Sequence, residues 1–265
     1  MSGVTNDTLV EQSTKAKQLI AIGCAITSKK ITMLSENNIG QKFQFFYTFL
    51  PSFCRTASHG FIYKFYLAYD SDDRVFTNER LRNAFQQHFY EATTFGSCRD
   101  RGIIIANLFM VQCFYAGQPA RAQNDAMIEA YVDHADYFYR INDDTSMLTE
   151  GWTEKFILTL KNYDPALVGV VGPKHFGGNI NILTYDFVHR THIDIFGFYY
   201  PHIFTDCYAD WWITRVYTPN RSTKVNEMLL VHTLRLGMRH RVYSPKEIIN
   251  RKDQQLEHDK VIIER

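Results

Sequence analysis

Residues 137–147 read YFYRINDDTSM, an aromatic and β-branched run that stops at two adjacent carboxylates, Asp143 and Asp144. Such a run favours a pleated, half-buried strand. Burying an unpaired carboxylate is costly, so the pair marks the strand's mouth, a helix cap or a cation site. Asp144 or Thr145 can cap a helix that follows. Asn142, Asp143 and Asp144 equally offer the hard oxygen ligands that Mg²⁺ or Mn²⁺ takes beside substrate phosphates. Adjacent strand residues point to opposite faces, so both acids reach one ion only where the strand has ended. Two acids alone leave both readings open.

Outward from this stretch, apolar runs of strand length alternate with segments of helix length, the pattern of an α/β sheet covered on both faces. The strands are expected at 19–26 (LIAIGCAI), 62–69 (IYKFYLAY), 102–107 (GIIIAN), 136–141 (DYFYRI) and 167–171 (LVGVV). Helices are expected near 40–50, 77–90, 122–134 and 151–161. After residue 172 the order loosens into a Gly-rich segment, GPKHFGG, and an aromatic block. With no repeat or low-complexity linker, the reading is a flexible lead-in over 1–18 and one unit over 19–265. In open parallel sheets, ligands bind outside the carboxyl ends of the strands. Three expected strands end in polar groups: Thr27-Ser28, Asp70-Ser71-Asp72-Asp73 and Asn142-Asp143-Asp144. If these strands are parallel, the three clusters share a rim.

The 265 residues carry 29 Lys and Arg against 28 Asp and Glu, a formal charge of +1. That balance argues against nucleic-acid binding and leaves any anionic ligand to a local site. Five cysteines (Cys24, Cys54, Cys98, Cys113 and Cys207) form no C-x-x-C pair. They read as buried structural thiols in a reducing compartment, with no disulfide framework or zinc ribbon. The polar opening residues lack a signal-peptide core, and no apolar run is long enough to span a bilayer. A soluble, cytoplasmic protein is the expectation.

Asp70, at its strand's end, is the acid of its cluster suited to accept from a nucleoside base or ribose hydroxyl; a solvated turn is the alternative. His192, three residues after His189, reads as a hydrogen-bonded core histidine or as a contact to a ligand. Asp210 opens a plausible helix, ADWWITRVY, where it serves either as a cap or as a general base, with Trp211 and Trp212 walling a sugar-sized cleft. P-loop, dinucleotide-fingerprint and serine-hydrolase motifs are absent from the sequence.

Together these residues resemble a GT-A-fold glycosyltransferase, with a Rossmann-type mixed central sheet flanked by helices. The resemblance is carried by YFYRINDDT followed by GWTEKF. More specifically, YLAYDSDD, QNDAMIEAYVDHADYFYRINDD and VHRTHIDIFGFYYPHIFTDCYADWWITRVY, in that order, look like the glycosyltransferase domains of large algal viruses and of the estrogen-regulated breast-cancer growth protein family. The resemblance covers roughly residues 19–243. It implies a nucleotide-diphosphate sugar donor, a glycan or protein acceptor, and Mn²⁺ or Mg²⁺. It places Asp144 as main metal ligand, Asn142 where the first acid of D-x-D stands, and Asp143 assisting from behind. His232 is the candidate third ligand, with His240 behind it. Thr27, Ser28, Asp70, Asp143, Trp211, Trp212 and His192 would meet the nucleotide sugar, and Asp210 would be the base of an inverting transfer. The family-like acidic pair before Trp-Ile-Thr is here Asp210-Trp211, so only its first acid is kept. The competing classes are a non-catalytic nucleotide-sugar-binding or scaffold domain, and a metal-dependent phosphotransferase or nuclease.

Overall fold

The structure, a computed structural model, describes residues 17–205, 208–233 and 246–264. Most of the expected lead-in, Cys207 and His240 lie outside the described residues. The strands are β1 (Leu19–Ile26), β2 (Ile62–Tyr69), β3 (Ile104–Gln112), β4 (Tyr137–Arg140), β5 (Thr145–Met147), β6 (Val170–Phe176), β7 (Phe187–His189) and β8 (Ser222–His232). The helices are α1 (Ile39–Lys42), α2 (Leu50–Thr56), α3 (Glu79–Thr94), α4 (Ser97–Asp100), α5 (Pro119–Val132), α6 (Trp152–Lys161), α7 (Thr191–Phe196), α8 (Ala209–Val216) and α9 (Lys246–Glu264). Among the described residues, all eight strands join one mixed sheet in the order β3-β2-β1-β4-β7-β6-β8-β5, flanked by helices, which is the Rossmann-type mixed α/β architecture expected.

β1 shows why the sheet forms. Ile20, Ile22, Cys24 and Ile26 feed one core, packed by Phe45, Phe49, Phe53, Phe85, Phe89 and Trp152. Ala21 faces the opposite core, under Ala126, Met127 and Ala130 of α5. This two-residue alternation, apolar on both sides, is that of a strand covered on both faces. Gly23 is small for a reason: a Cβ there would lie 2.5 Å from Met127 Cε, so α5 could not pack so closely.

Strands β1 and β2 fall where the apolar runs put them, whereas β3 and β6 are longer and shifted. β3 continues through Asn107 to Gln112 because it is the sheet's edge, bonded to β2 alone, where polar residues are tolerated. β6 corrects the reading of GPKHFGG as loop. Gly172 to Phe176 are strand, and Pro173 is accommodated at a register shift between Pro173 and Lys174 against β8. The single helix expected near 40–50 is three pieces: α1, a π turn over Phe45–Phe49, and α2, whose first turn takes the proline at position 51.

The cysteine expectation is also corrected. Cys54 on α2 and Cys98 on α4 form a disulfide, their Cα atoms 4.4 Å apart. The two are 44 residues apart in sequence and meet only because α2 packs on α4, so no spacing motif announces them. The reducing compartment read from the cysteines loses its support. Cys24 and Cys113 are buried, and neither is in a disulfide. Among the described residues, no helix is long and apolar enough to cross a membrane.

Candidate active site

Strand direction decides which residues meet. β1, β2, β3 and β4 are mutually parallel. β7 runs against both β4 and β6, and β8 runs with β6. The carboxyl ends of β1, β2, β4, β6 and β8 therefore share one rim, together with the residues entering β7. That rim gathers Thr27-Ser28, Asp70–Asp73, Asn142–Asp144, His175, Tyr185-Asp186 and His232, beside the point where strand order reverses across β1.

At the β1–β2 end the acids are committed to the fold. Asp73, 1 % exposed, accepts from the Ser28 amide at 2.7 Å, the Ser28 hydroxyl at 2.7 Å and the Thr27 hydroxyl at 3.2 Å. It also accepts from the Val75 and Phe76 amides at 3.1 and 3.3 Å, closing the turn ahead of α3. Thr27 and Ser28, expected to meet the nucleotide, both bond Asp73. Asp70 is buried and accepts from Lys29 Nζ at 2.8 Å and the Gly117 amide at 3.0 Å. It fastens the loop after β1 to the loop after β3.

At the β4 end Asp143 and Asp144 stand in a turn. No helix follows Asp144; the chain turns, with Thr145 donating to the Asn142 carbonyl, and resumes as β5. Helix α6 starts only at Trp152, after Gly151 in the left-handed region at φ 75°. β5 pairs with the end of β8, Thr145 opposite His232, and the Thr233 amide and hydroxyl both donate to the Asp144 carbonyl. This pairing sets His232 Nε2 3.0 Å from Asp144 Oδ1. The Gly177-Gly178 turn after β6 lies under His232: both glycines have positive φ, and a Cβ on Gly177 would lie 3.1 Å from the His232 carbonyl oxygen. Asp143 is buried within the turn, and Asn142 is half-buried.

This donor set fits a hard divalent cation. Two cis ligands each about 2.1 Å from an octahedral ion sit about 3 Å apart, the separation of Asp144 and His232. Among the described residues, no three His, Cys, Asp or Glu side chains gather around one point. The protein's share of a shell would be Asp144 and His232, with Asn142 beside them.

Beyond the pair lies a group that the sequence did not announce. Arg140, at the end of β4, donates to the Thr184 carbonyl and lies in the field of Asp186 and Asp210. Asp186, fully buried, accepts from the hydroxyls of Tyr199 and of Tyr200, the latter at 2.6 Å. Burial pushes its carboxyl up to about 6 against the pull of Arg140. Asp210 lies at the start of α8, half-buried. Its Oδ2 accepts from the Thr184 hydroxyl at 3.3 Å and its Oδ1 from the Trp211 amide at 3.0 Å. Thr214, one turn on, accepts from the Leu183 amide at 2.8 Å, locking α8 to the segment between β6 and β7. Arg140 was legible as the lone cation in an apolar strand; Tyr185 and His175 carried no such mark.

His175 and Tyr185 floor this group. His175 is 3 % exposed, and its ring centroid is 5.3 Å from that of Tyr185, which lies 6.2 Å from His232. Neither His175 nitrogen nor the Tyr185 hydroxyl completes a hydrogen bond of normal geometry. Burial lowers the basicity of the His175 imidazole, with Lys224 and His232 adding to the effect and the Asn179 backbone and Asp210 opposing it.

Three expected site residues lie elsewhere. His192 is 1 % exposed, with Nδ1 2.8 Å from the Tyr217 hydroxyl and Nε2 2.8 Å from the Tyr199 carbonyl. Burial pushes it down to about 4, so it is a neutral core histidine. Trp212 is fully buried and donates from Nε1 to Asp259 of α9 at 3.0 Å. Trp211 lies half-buried beneath Lys252 of α9, whose Nζ is 4.6 Å from the ring centroid. Both tryptophans join α8 to α9, Trp212 through Asp259 and Trp211 through Lys252.

No protein-family model matches this chain, and no curated protein matches it. Among solved structures it is similar to S. aureus TarS 1-349 in complex with UDP, at 14 % identity and a TM-score of 0.47, over 82 % of this chain and 61 % of that one. Similarity to S. aureus TarS 1-349 is 11 % identity and a TM-score of 0.46, covering 82 % and 60 %. A longer S. aureus TarS structure gives 11 % identity and a TM-score of 0.42, covering 82 % and 36 %. The chain spans about three fifths of the length of the TarS 1-349 structures.

Proposed function

We propose that this chain is a metal-assisted glycosyltransferase that moves a sugar from a nucleotide-diphosphate sugar to an acceptor hydroxyl of a glycan or protein. The observation that carries the reading is the 3.0 Å approach of His232 Nε2 to Asp144 Oδ1 on the carboxyl rim of the sheet. The ordered sequence blocks that resemble the viral and growth-protein glycosyltransferase domains support it. Asp144 and His232, with Asn142, would hold Mn²⁺ or Mg²⁺, which when bound supplies neutralisation of the diphosphate and of the departing nucleotide.

The chain's own residues do the rest. Asp210, oriented by the Thr184 hydroxyl and the Trp211 amide, would take the proton of the acceptor hydroxyl. The acceptor oxygen then bonds to the anomeric carbon as the bond from that carbon to the phosphate oxygen breaks. One base opposite the leaving group suffices for inversion.

A second reading, a nucleotide-sugar-binding scaffold without chemistry, is favoured by one feature: each Asp210 oxygen already accepts a bond at the start of α8, as a structural cap would. The test is thermal denaturation with UDP, GDP and their sugar conjugates, with Mn²⁺, Mg²⁺ or chelator, followed by turnover assays. A ligand that binds only the native state raises the melting temperature by mass action. Glycosyl transfer predicts stabilisation that chelator abolishes, and turnover lost in Asp210→Asn with diphosphate binding kept. Binding without transfer or donor hydrolysis supports the scaffold. Absence of stabilisation by any nucleotide rejects both.

A further inference from the structure

We infer that His175 and Tyr185 are the sugar-contact residues of this site, hydrogen-bonding hydroxyl groups of the donor's sugar. The assignment rests on the glycosyl-transfer reading above and adds to it which side chains read the sugar. Topology places both on the rim: His175 at the end of β6 and Tyr185 two residues before β7. Their electrostatic neighbours bracket the reacting region. His175 feels Asp210 and His232. Tyr185 feels Arg140, Asp144 and Asp210, and the Asn142 side chain approaches its hydroxyl. The pair is thus buried beside the proposed cation arm, with the Tyr185 ring 6.2 Å from that of His232 and 5.3 Å from that of His175.

The hydrogen-bonding inventory selects the ligand. Two side chains more than nine-tenths buried leave three polar atoms, both His175 nitrogens and the Tyr185 oxygen, without a bond of normal geometry among the described residues. Folded proteins pair nearly all such atoms, so each exception calls for a partner. A neutral imidazole offers one donor and one acceptor, and a phenol offers both. Vicinal hydroxyls of a pyranose are the reciprocal set. A diphosphate presents acceptors only and would leave the imidazole's lone pair unmet. His192 supplies the contrast, with both nitrogens satisfied at 2.8 Å inside the core.

The experiment compares Tyr185→Phe, His175→Phe and His175→Gln with the unaltered chain. Dissociation constants are measured with Mn²⁺ for UDP, GDP and their glucose, galactose, mannose and singly deoxygenated conjugates. Free diphosphates are expected to bind all four proteins within about twofold of one another. Sugar conjugates, or their turnover, should weaken about tenfold or more in the phenylalanine variants, with partial recovery in His175→Gln. A site built to bond a hydroxyl rejects the analogue lacking it, by up to about 10⁴-fold. Discrimination against one deoxygenated conjugate should therefore collapse in Tyr185→Phe. The ligand-free melting temperature of that variant should stay level or rise, because an unpaired buried hydroxyl has been removed. Equal loss of diphosphate and conjugate, no change in either, or a fall in the ligand-free melting temperature that tracks the loss would overturn the assignment. If no diphosphate binds the unaltered chain, the glycosyl-transfer reading itself fails and this assignment with it.

Discussion

Two acidic clusters stand on the same rim, one after β2 and one after β4 with β1 between them, and the fold uses them differently. Asp73 accepts five hydrogen bonds from residues of its own turn and of the loop after β1. Asp144 instead has its carboxylate directed to a histidine that arrives from β8. The first is what a carboxylate looks like when it holds loops together. The second lies within ion-pair distance of an imidazole, the pair that we propose as a cation site. The same residue type at equivalent strand ends is thus sorted by its donors: backbone amides and hydroxyls on one side, a metal-capable imidazole on the other.

The contrast can be broken by exchanging the losses. Asp144→Asn is expected to abolish metal-dependent stabilisation by nucleotide and to lower turnover by at least about a hundredfold. Its ligand-free unfolding should change little, since the strand pairing through the Asp144 carbonyl is kept. Asp73→Ala should do the reverse, lowering unfolding free energy by about 3 kcal/mol as buried donors on Ser28 and Val75 lose their acceptor. Diphosphate affinity per folded molecule should hold. Urea denaturation and nucleotide titration of both variants decide the matter. If Asp73→Ala loses metal-dependent binding as completely as Asp144→Asn, the two clusters form one functional site.

How much of this was readable depended on how local the cause was. β1 and β2 were fully legible, because an apolar run covered on both faces states its own ends. The sharing of the rim followed from parallel pairing alone. His232 beside Asp144 came only through resemblance, since nothing near either residue announces that β5 will pair with the end of β8. Trp212 and His192 were misplaced for one reason: their partners, Asp259 and Tyr217, lie 47 and 25 residues further on. An aromatic block reads alike whether it lines a cleft or fills a core. The Cys54–Cys98 bond was hidden in the same way. His175 was masked by the glycines and proline around it, which suggested loop where a bulge lets the strand continue.

The smallest expected effect sharpens the contrast between satisfied and unsatisfied interiors. His192 is held down to about 4 in the fold against an ordinary 6.5, so the unfolded chain takes up the proton first. Its contribution to stability is present above about pH 6.5 and is lost as pH falls toward 4, by about 3 kcal/mol. Asp186 is raised to about 6 from 3.8, so here the folded state takes up the proton first. Its contribution is full below about pH 3.8 and is lost as pH rises through 6, again by about 3 kcal/mol. Between pH 4 and 6 the two slopes oppose and nearly cancel in the unaltered chain. His192→Phe should uncouple them, gaining stability relative to the unaltered chain as pH falls from 6.5 to 4. Asp186→Asn should lose relative stability across the same interval. Urea unfolding of the three proteins at pH 4, 5, 6 and 7 measures both slopes. Parallel pH profiles for His192→Phe and the unaltered chain would mean that this imidazole reaches water, contrary to its burial between Tyr199 and Tyr217.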